Sequence, residues 1–401
     1  MRFLRILTVM LLPVLAAPAL AQSAPIKVVA TTGMIADAAS QIGGDLIELK
    51  TLMGAGVDPH SFRQTRSDIL ALMNADLILW NGLYLEAQLE PLLLDLAQSR
   101  TVVAVAEAIP QDRLRSHPEY EDRFDPHVWM DPTLWRTVVL AVRDALSASY
   151  PEGAAIFEAN AAQHLAEIDR LAAYAQSSLS SVPEAARVLV TAHDAFGYFG
   201  RAFDFEVLGI QGISTASEAG LLQISTLVDA LVARQIGAIF VESSVSDRNI
   251  RALQEGAAAQ GHAVAIGGEL YSDAMGPEGS YEGTYLGMMA TLTSSMCSWL
   301  SLWSIPGRGS STLATLAHNS HALSTTVLSL SWNWGHRIIA HSSSGSGSLG
   351  HHPPSLSSHP WGTCAVAHLV QVAGWHILVV DTRWHQNSRP AATTADSGMS
   401  V

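Results

Sequence analysis

Between residues 26 and 289, two kinds of hydrophobic pattern take turns along the chain. Short runs rich in β-branched and aliphatic residues alternate with longer stretches whose apolar positions recur every three to four residues, the signature of strands interleaved with amphipathic helices. Residues 26–32 (IKVVATT) predict a buried strand, 34–43 a helix ending at Gly43, and 46–53 a second strand. A helix over 65–75, a strand over 76–80 (DLILW), a helix over 86–99 with Pro91 near its start and a strand over 101–106 continue the alternation. Strands that follow helices in this way predict a parallel sheet.

From residue 151 to about 180 the spacing of Ile156, Leu165, Ile168, Leu171 and Tyr174 stays helical, with no glycine or proline after Gly153. A helix of roughly 28 residues would be about 40 Å long. A second alternating set follows: strands over 187–192 (RVLVTA), 205–209, 238–242 (AIFVE) and 262–266, with helices around Phe196 and over 218–235 and 247–260. The predicted fold is therefore α/β, with two lobes that each hold a mainly parallel sheet flanked by helices, joined by one long rigid helix. The predicted divisions are 22–150 and 182–289 for the lobes and 151–181 for the joining helix.

At 401 residues the chain is long enough for more than one domain and a sizeable core. Acidic residues number 36 against 22 basic ones, for a net charge of −14. A broad basic surface that would neutralise nucleic-acid phosphates is thus not expected. Residues 1–21 place Arg2 and Arg5 ahead of an apolar run and end in small residues at Ala19 and Ala21, the pattern of a cleaved signal peptide. The absence of a cysteine near that junction argues against a lipid anchor, so a soluble periplasmic protein is expected.

The statistics change after Met289. Only six of the 58 charged residues lie beyond it, against seven of the ten tryptophans and ten of the sixteen histidines. Disordered tails are usually poor in aromatics and rich in charge, the reverse of this composition. One set of codons for residues 290–300 (ATLTSSMCSWL), read two bases later, encodes HTHIVDVLVA, a plausible amphipathic terminal helix. Residues 290–401 are accordingly expected to be a Ser/His/Trp-rich tail without native-like structure, consistent with a shifted reading frame. The apolar run at 361–380 is about long enough to span a bilayer, but His368, Gln371 and His376 interrupt it. A membrane span is not expected there.

Residues 22–289 hold six histidines, and three of them lie in loops after predicted strands: His60 in VDPHSF, His127 in DPHVWMDP and His193 in TAHDAF. Ligands in open α/β sheets bind beyond the carboxyl ends of the strands, where such loops can converge. Asp273, in LYSDAMG, follows the last strand of the second lobe. Three neutral imidazoles and one carboxylate suit a borderline divalent metal. Taken singly, each has a plainer role: a lone loop histidine is more often a surface group, and Asp273 alone reads as a turn residue. His164 reads as a helix-face residue, and His117 as part of a solvated acidic loop.

The motifs DPHSF, DPHVWMDP, TAHDAFGYF, GIQGISTASEAG, FVESS and LYSDAMG occur in this order over residues 26–289. In that arrangement the chain resembles the solute-binding receptors of zinc and manganese ABC transporters, periplasmic proteins and lipoproteins that capture a metal ion. The resemblance implies one divalent ion, Zn2+ or Mn2+, as transported ligand, held by His60, His127, His193 and Asp273. It also implies delivery to a membrane permease driven by an ATPase, and a monomeric receptor with no catalytic activity. His193 stands where manganese receptors of this family often carry a glutamate, which favours zinc. The lack of a long His-rich loop over 109–125 and the Gln211-Gly212-Ile213-Ser214 run resemble the mixed manganese and zinc subgroup. Family members usually end in a helix packed on the second lobe, which the composition after Met289 does not predict. The competing expectation is a metal-dependent hydrolase on the same four residues, for which Asp194, Asp131 or Glu242 would serve as base.

Overall fold

The computed structural model describes residues 24–117, 120–216, 220–303, 363–372 and 375–384. The predicted signal peptide lies outside them. The chain divides into two units, residues 1–332 and 333–401.

In the first unit, β1 (Ile26–Ala30), α1 (Gly33–Gly43), β2 (Ile47–Thr51), α2 (Arg66–Asn74), β3 (Leu77–Trp80), α3 (Glu90–Leu96) and β4 (Thr101–Ala104) succeed one another. Their strands form one parallel sheet in the order β2-β1-β3-β4. The period-two alternation of side chains decides what each face covers. Val28, Ala30, Leu77 and Leu79 face a large core shared with α1, whereas Val29, Ile78 and Trp80 face Leu72 of α2 and Leu93 of α3. Thr65 caps α2 through a reciprocal pair with Asp68, which joins the backbone N–H groups that the first turn leaves unpaired.

The 18-residue α4 (Pro132–Ser149) then crosses the large core, burying Leu134, Trp135, Val138, Val139, Val142 and Leu146. The sequence reading places no element there, because the run TVVLAV has the β-branched character of a strand. Asp131 starts the helix by accepting from Thr133 N (2.8 Å), with proline in the first turn.

The predicted long helix is α5 (Ala154–Leu179), 26 residues and about 39 Å. Phe157, Ala161, His164, Ile168, Leu171, Ala175 and Leu179 are its buried stripe, spaced by threes and fours. His164 is thus a buried residue of that face.

The second lobe runs through β5 (Val188–His193), α6 (Gly197–Phe203), β6 (Glu206–Gln211), α7 (Leu221–Ala233), β7 (Ala238–Glu242), α8 (Arg248–Ala259) and β8 (Ala265–Leu270). Its strands form two parallel pairs, β5-β6 and β7-β8, with β5 lying beside β7. The last strand sits three residues later than predicted. Gly267 and Gly268 interrupt its hydrophobic pattern, yet Gly268 continues it at φ 120°, and the register with β7 shifts between Ile239 and Val241.

The boundary drawn at residue 289 does not hold as a structural break. α9 (Tyr285–Trp303) runs across it, buries Met288, Met289, Leu292, Met296 and Leu300, and packs on α5. α9 also packs on β7 and β8 of the second lobe, contrary to the expectation from composition. An uncharged sequence such as ATLTSSMCSWL still supplies apolar residues at helical spacing, and burial asks no more of it. In the second unit, β9 (Thr363–Val372) and β10 (Trp375–Trp384) pair antiparallel, and the apolar run at 361–380 falls largely on them. Among the described residues no helix is long and apolar enough to cross a membrane. The remainder of the predicted tail lies outside the described residues.

Candidate metal centre

The four residues singled out in the sequence come together. His60, in the loop between β2 and α2, and His127, just before α4, come from the first lobe. His193 ends β5 and Asp273 follows β8 in the second. One ligand atom from each lies within 4.8 Å of all the others, and all four side chains are buried.

Distances show what such a cluster can hold. His60 Nε2 is 3.3 Å from His127 Nε2 and 3.6 Å from Asp273 Oδ2. Asp273 Oδ1 lies 3.3 Å from His127 Nε2, and Oδ2 3.1 Å from His193 Nε2. Four ligands placed tetrahedrally about 2.0–2.1 Å from a zinc ion stand about 3.3 Å apart. Both oxygens of Asp273 are buried with no hydrogen-bond partner among the described residues. A buried carboxylate left that way is costly unless a cation meets it, so the donor set fits a divalent ion.

The imidazoles of His127 and His193 are aimed from behind, and His60 is held through its backbone. The repeated Asp-Pro-His sequence folds as the same turn twice: Asp58 Oδ1 accepts from His60 N (2.9 Å), and Asp125 Oδ1 from His127 N (3.0 Å). Asp125 Oδ1 also lies 2.8 Å from His127 Nδ1. Glu242, at the end of β7, does the same for the second lobe. Its Oε1 accepts from His193 N (2.9 Å) and its Oε2 stands 2.6 Å from His193 Nδ1. A carboxylate on Nδ1 keeps the proton there and turns the Nε2 lone pair toward the centre. Asp58 and Asp125 went unremarked as functional residues in the sequence; their spacing of two before each histidine was the signal.

The electrostatics divide the three rings. Burial lowers the pKa of His60 to about 4, outweighing the pull of Asp273. Burial also works against charge on His127, but Asp273 and Asp125 overcome it and lift the ring to about 9. His193 is raised well above its ordinary value for the same reason, with Glu242 and Asp273 prevailing over burial. Asp273 is held well below the usual carboxylate range, since the two imidazoles prevail over its own burial. An entering cation thus competes with protons on His127 and His193 and with none on His60 at neutral pH.

Of the residues considered as a hydrolytic base, Asp131 is the cap of α4 and Glu242 is engaged on both oxygens with His193. His117 is buried, with 7% exposure, not solvated as expected, and its ring lies against Tyr120 at 4.8 Å.

Further back, Glu86 is buried and accepts from Thr31 Oγ1 (2.6 Å), Asn81 N (2.8 Å) and Gly82 N (3.2 Å). Burial pushes its carboxyl up to about 7. The Asn81 side chain donates in turn to the carbonyl of Pro126 (3.2 Å), next to His127. Gly82, Leu83 and Tyr84 are all left-handed, at φ 79°, 54° and 68°. Such a turn is unfavourable for side-chain-bearing residues, and the carboxylate on its first amides offsets that cost.

The family model of the periplasmic component A of zinc-uptake complexes, ZnuA, matches residues 28–298. The chain belongs to the ZnuA family. The match ends inside α9, so the family resemblance extends beyond residue 289. The chain is 46% identical over 263 residues to the manganese-binding lipoprotein MntA of Bacillus subtilis, covering 66% of this chain and 86% of that protein. It is 48% identical over 262 residues to the zinc-binding protein TroA of Treponema pallidum, covering 65% and 84%. The solved structure of periplasmic zinc-binding TroA from Treponema pallidum superimposes with a TM-score of 0.68 at 46% identity, over 69% of this chain and 99% of that one. The two-lobed α/β architecture is that of this family.

Proposed function

We propose that the chain is an extracytoplasmic receptor that captures one divalent transition metal ion, zinc or manganese, and delivers it to an ABC permease. In this reading His60, His127, His193 and Asp273 are the ligands, and the partner is a membrane permease with its ATPase. The observation that carries it is the convergence of four buried ligand atoms, two from each lobe, within 4.8 Å of one another. Relatives named for manganese and for zinc both match at close to half identity, which supports either ion as cargo.

Capture and release follow from the placement of the ligands. Because each lobe supplies only two, neither lobe alone makes a complete site. Bringing the lobes into register completes the shell, and a small separation dismantles it. The three carboxylates Asp125, Glu242 and Asp273 give the site a sign suited to a cation. The four-ligand set favours a receptor over the hydrolase alternative, which needs an open metal position, and two of the three candidate bases, Glu242 and Asp131, are engaged elsewhere.

Metal content of the purified full chain, measured by elemental mass spectrometry beside a His193→Ala variant, tests the proposal. About one ion per chain in the parent and a loss in the variant are expected. Competition between zinc and manganese for the same protein identifies the preferred ion. A metal-free parent after equilibration with either ion, or an unchanged variant, would sink it.

A further inference from the structure

We infer that Arg115 is a positioning residue for the metal, acting through Asp125 and through a clamp between the lobes. The inference rests on the receptor reading above. Arg115 belongs to the first lobe, in an arm that closes on itself through the bridge between Ser116 and Phe124 and leads into His127. Asp125 N donates to the carbonyl of Arg115 (2.8 Å), so the two residues move together.

From that arm the guanidinium reaches the second lobe. Nη1 donates to the carbonyl of Gly197 (2.9 Å), and the backbone N–H of Arg115 donates to the hydroxyl of Tyr198 (3.0 Å). The Tyr198 hydroxyl in turn donates a hydrogen bond to the carbonyl of Asp125 (2.8 Å). Gly197 and Tyr198 open α6, four and five residues after His193. The clamp therefore ties the segment that ends in one imidazole to the turn that follows another, across the lobe boundary.

Two further observations assign this role to the side chain. Arg115 Nε stands 3.4 Å from Asp125 Oδ2, the oxygen left over when Oδ1 serves His127. Gly197 leaves room for the guanidinium: a Cβ there would meet Arg115 Cζ at 2.6 Å and two of its nitrogens at 2.7 Å, so the arginine would have to move off. The guanidinium, although 38% exposed, thus occupies the space beside Gly197 that a side chain there would take.

The test uses the full chain, zinc or manganese alone as probe, and a competing chromophoric chelator to read Kd. Arg115→Ala removes the guanidinium; Gly197→Ala keeps it but pushes it off its seat. Each substitution is expected to weaken binding about tenfold, the scale of lost support behind a metal ligand. Because both break the same contact, the double variant should also lose about tenfold, not a hundredfold. The rise in Tm that saturating metal gives should shrink in both single variants, while the metal-free Tm stays within a few degrees. A purely structural role would lower both melts together. Variants within twofold of the parent, fully additive losses, or equal falls in both melts would overturn the inference. A parent that binds no metal would instead overturn the receptor reading itself. If Arg115→Ala fails to fold, Gly197→Ala and Arg115→Lys carry the same comparison.

Discussion

Glu242→Gln is the sharpest single test of how the site is built. The carboxylate serves His193 with both oxygens, one on the backbone N–H at 2.9 Å and one 2.6 Å from Nδ1. Glutamine has one acceptor oxygen, so it can do only one of these jobs. If its oxygen keeps the backbone N–H, its NH2 group faces Nδ1 and drives the ring proton to Nε2, the atom that faces Asp273. If it flips, an amide donor meets the backbone donor and a bond to a charged acceptor is lost, about 1.5–3 kcal/mol. Either way the expected loss in metal affinity is about 10–100-fold, or roughly 1.4–2.7 kcal/mol. Competition against a chromophoric chelator at constant pH reads it, with the melt of the metal-free variant as control. An affinity within twofold of the parent would refute the idea that Glu242 sets the tautomer of His193.

Metal uptake should release close to two protons per ion near pH 7, drawn from His127 and His193, measurable by titration calorimetry in buffers of different ionisation enthalpy. Fewer than half a proton per ion would contradict this. Without metal, the raised His127 stabilises the fold fully below pH 6.5 and loses that contribution as pH rises through about 9, so the metal-free Tm should decline over that window. Glu86→Gln places an amide donor against Gly82 N–H and should cost about 1–3 kcal/mol, visible as a lower Tm; an unchanged Tm would show that the left-handed turn stands without the carboxylate. Ending the chain at residue 289 removes Leu292, Met296 and Leu300, each worth about 1.5–3 kcal/mol buried, and should abolish the cooperative melt, whereas ending it at 303 should not.

Most of the first lobe was legible because its strands are short, apolar and separated by glycine or capping signals. The four candidate ligands were legible through the ordered motifs around them, not singly, since a lone histidine or aspartate beside a strand end has a plainer role; His193 itself ends β5. α4 was not: a run of valines within a helix looks like a strand until packing decides, and Val138, Val139 and Val142 pack. α9 was hidden for the opposite reason. Its composition departs from the rest of the chain, but a buried helix needs only apolar volume at the right spacing, which Leu292, Met296 and Leu300 provide. Glu86, which accepts from Thr31, and Arg115, which reaches Gly197, depend on contacts between distant segments, and no local pattern reports those.

α9 also bears on when the protein can fold. Its first backbone amide, at Tyr285, donates to Asp37 Oδ2 on α1 (2.9 Å), and the Tyr285 hydroxyl donates to the carbonyl of Trp129 (2.9 Å). The first of these bonds joins residues 248 positions apart. A chain delivered from its N-terminus must therefore wait for nearly the whole of both lobes before the contact that fastens α9 to α1 can form. Such long-range closure is slow. Until it occurs, the faces that α9 covers stand open to chaperones and proteases, so both lobes stay exposed until residues 285–303 have been delivered.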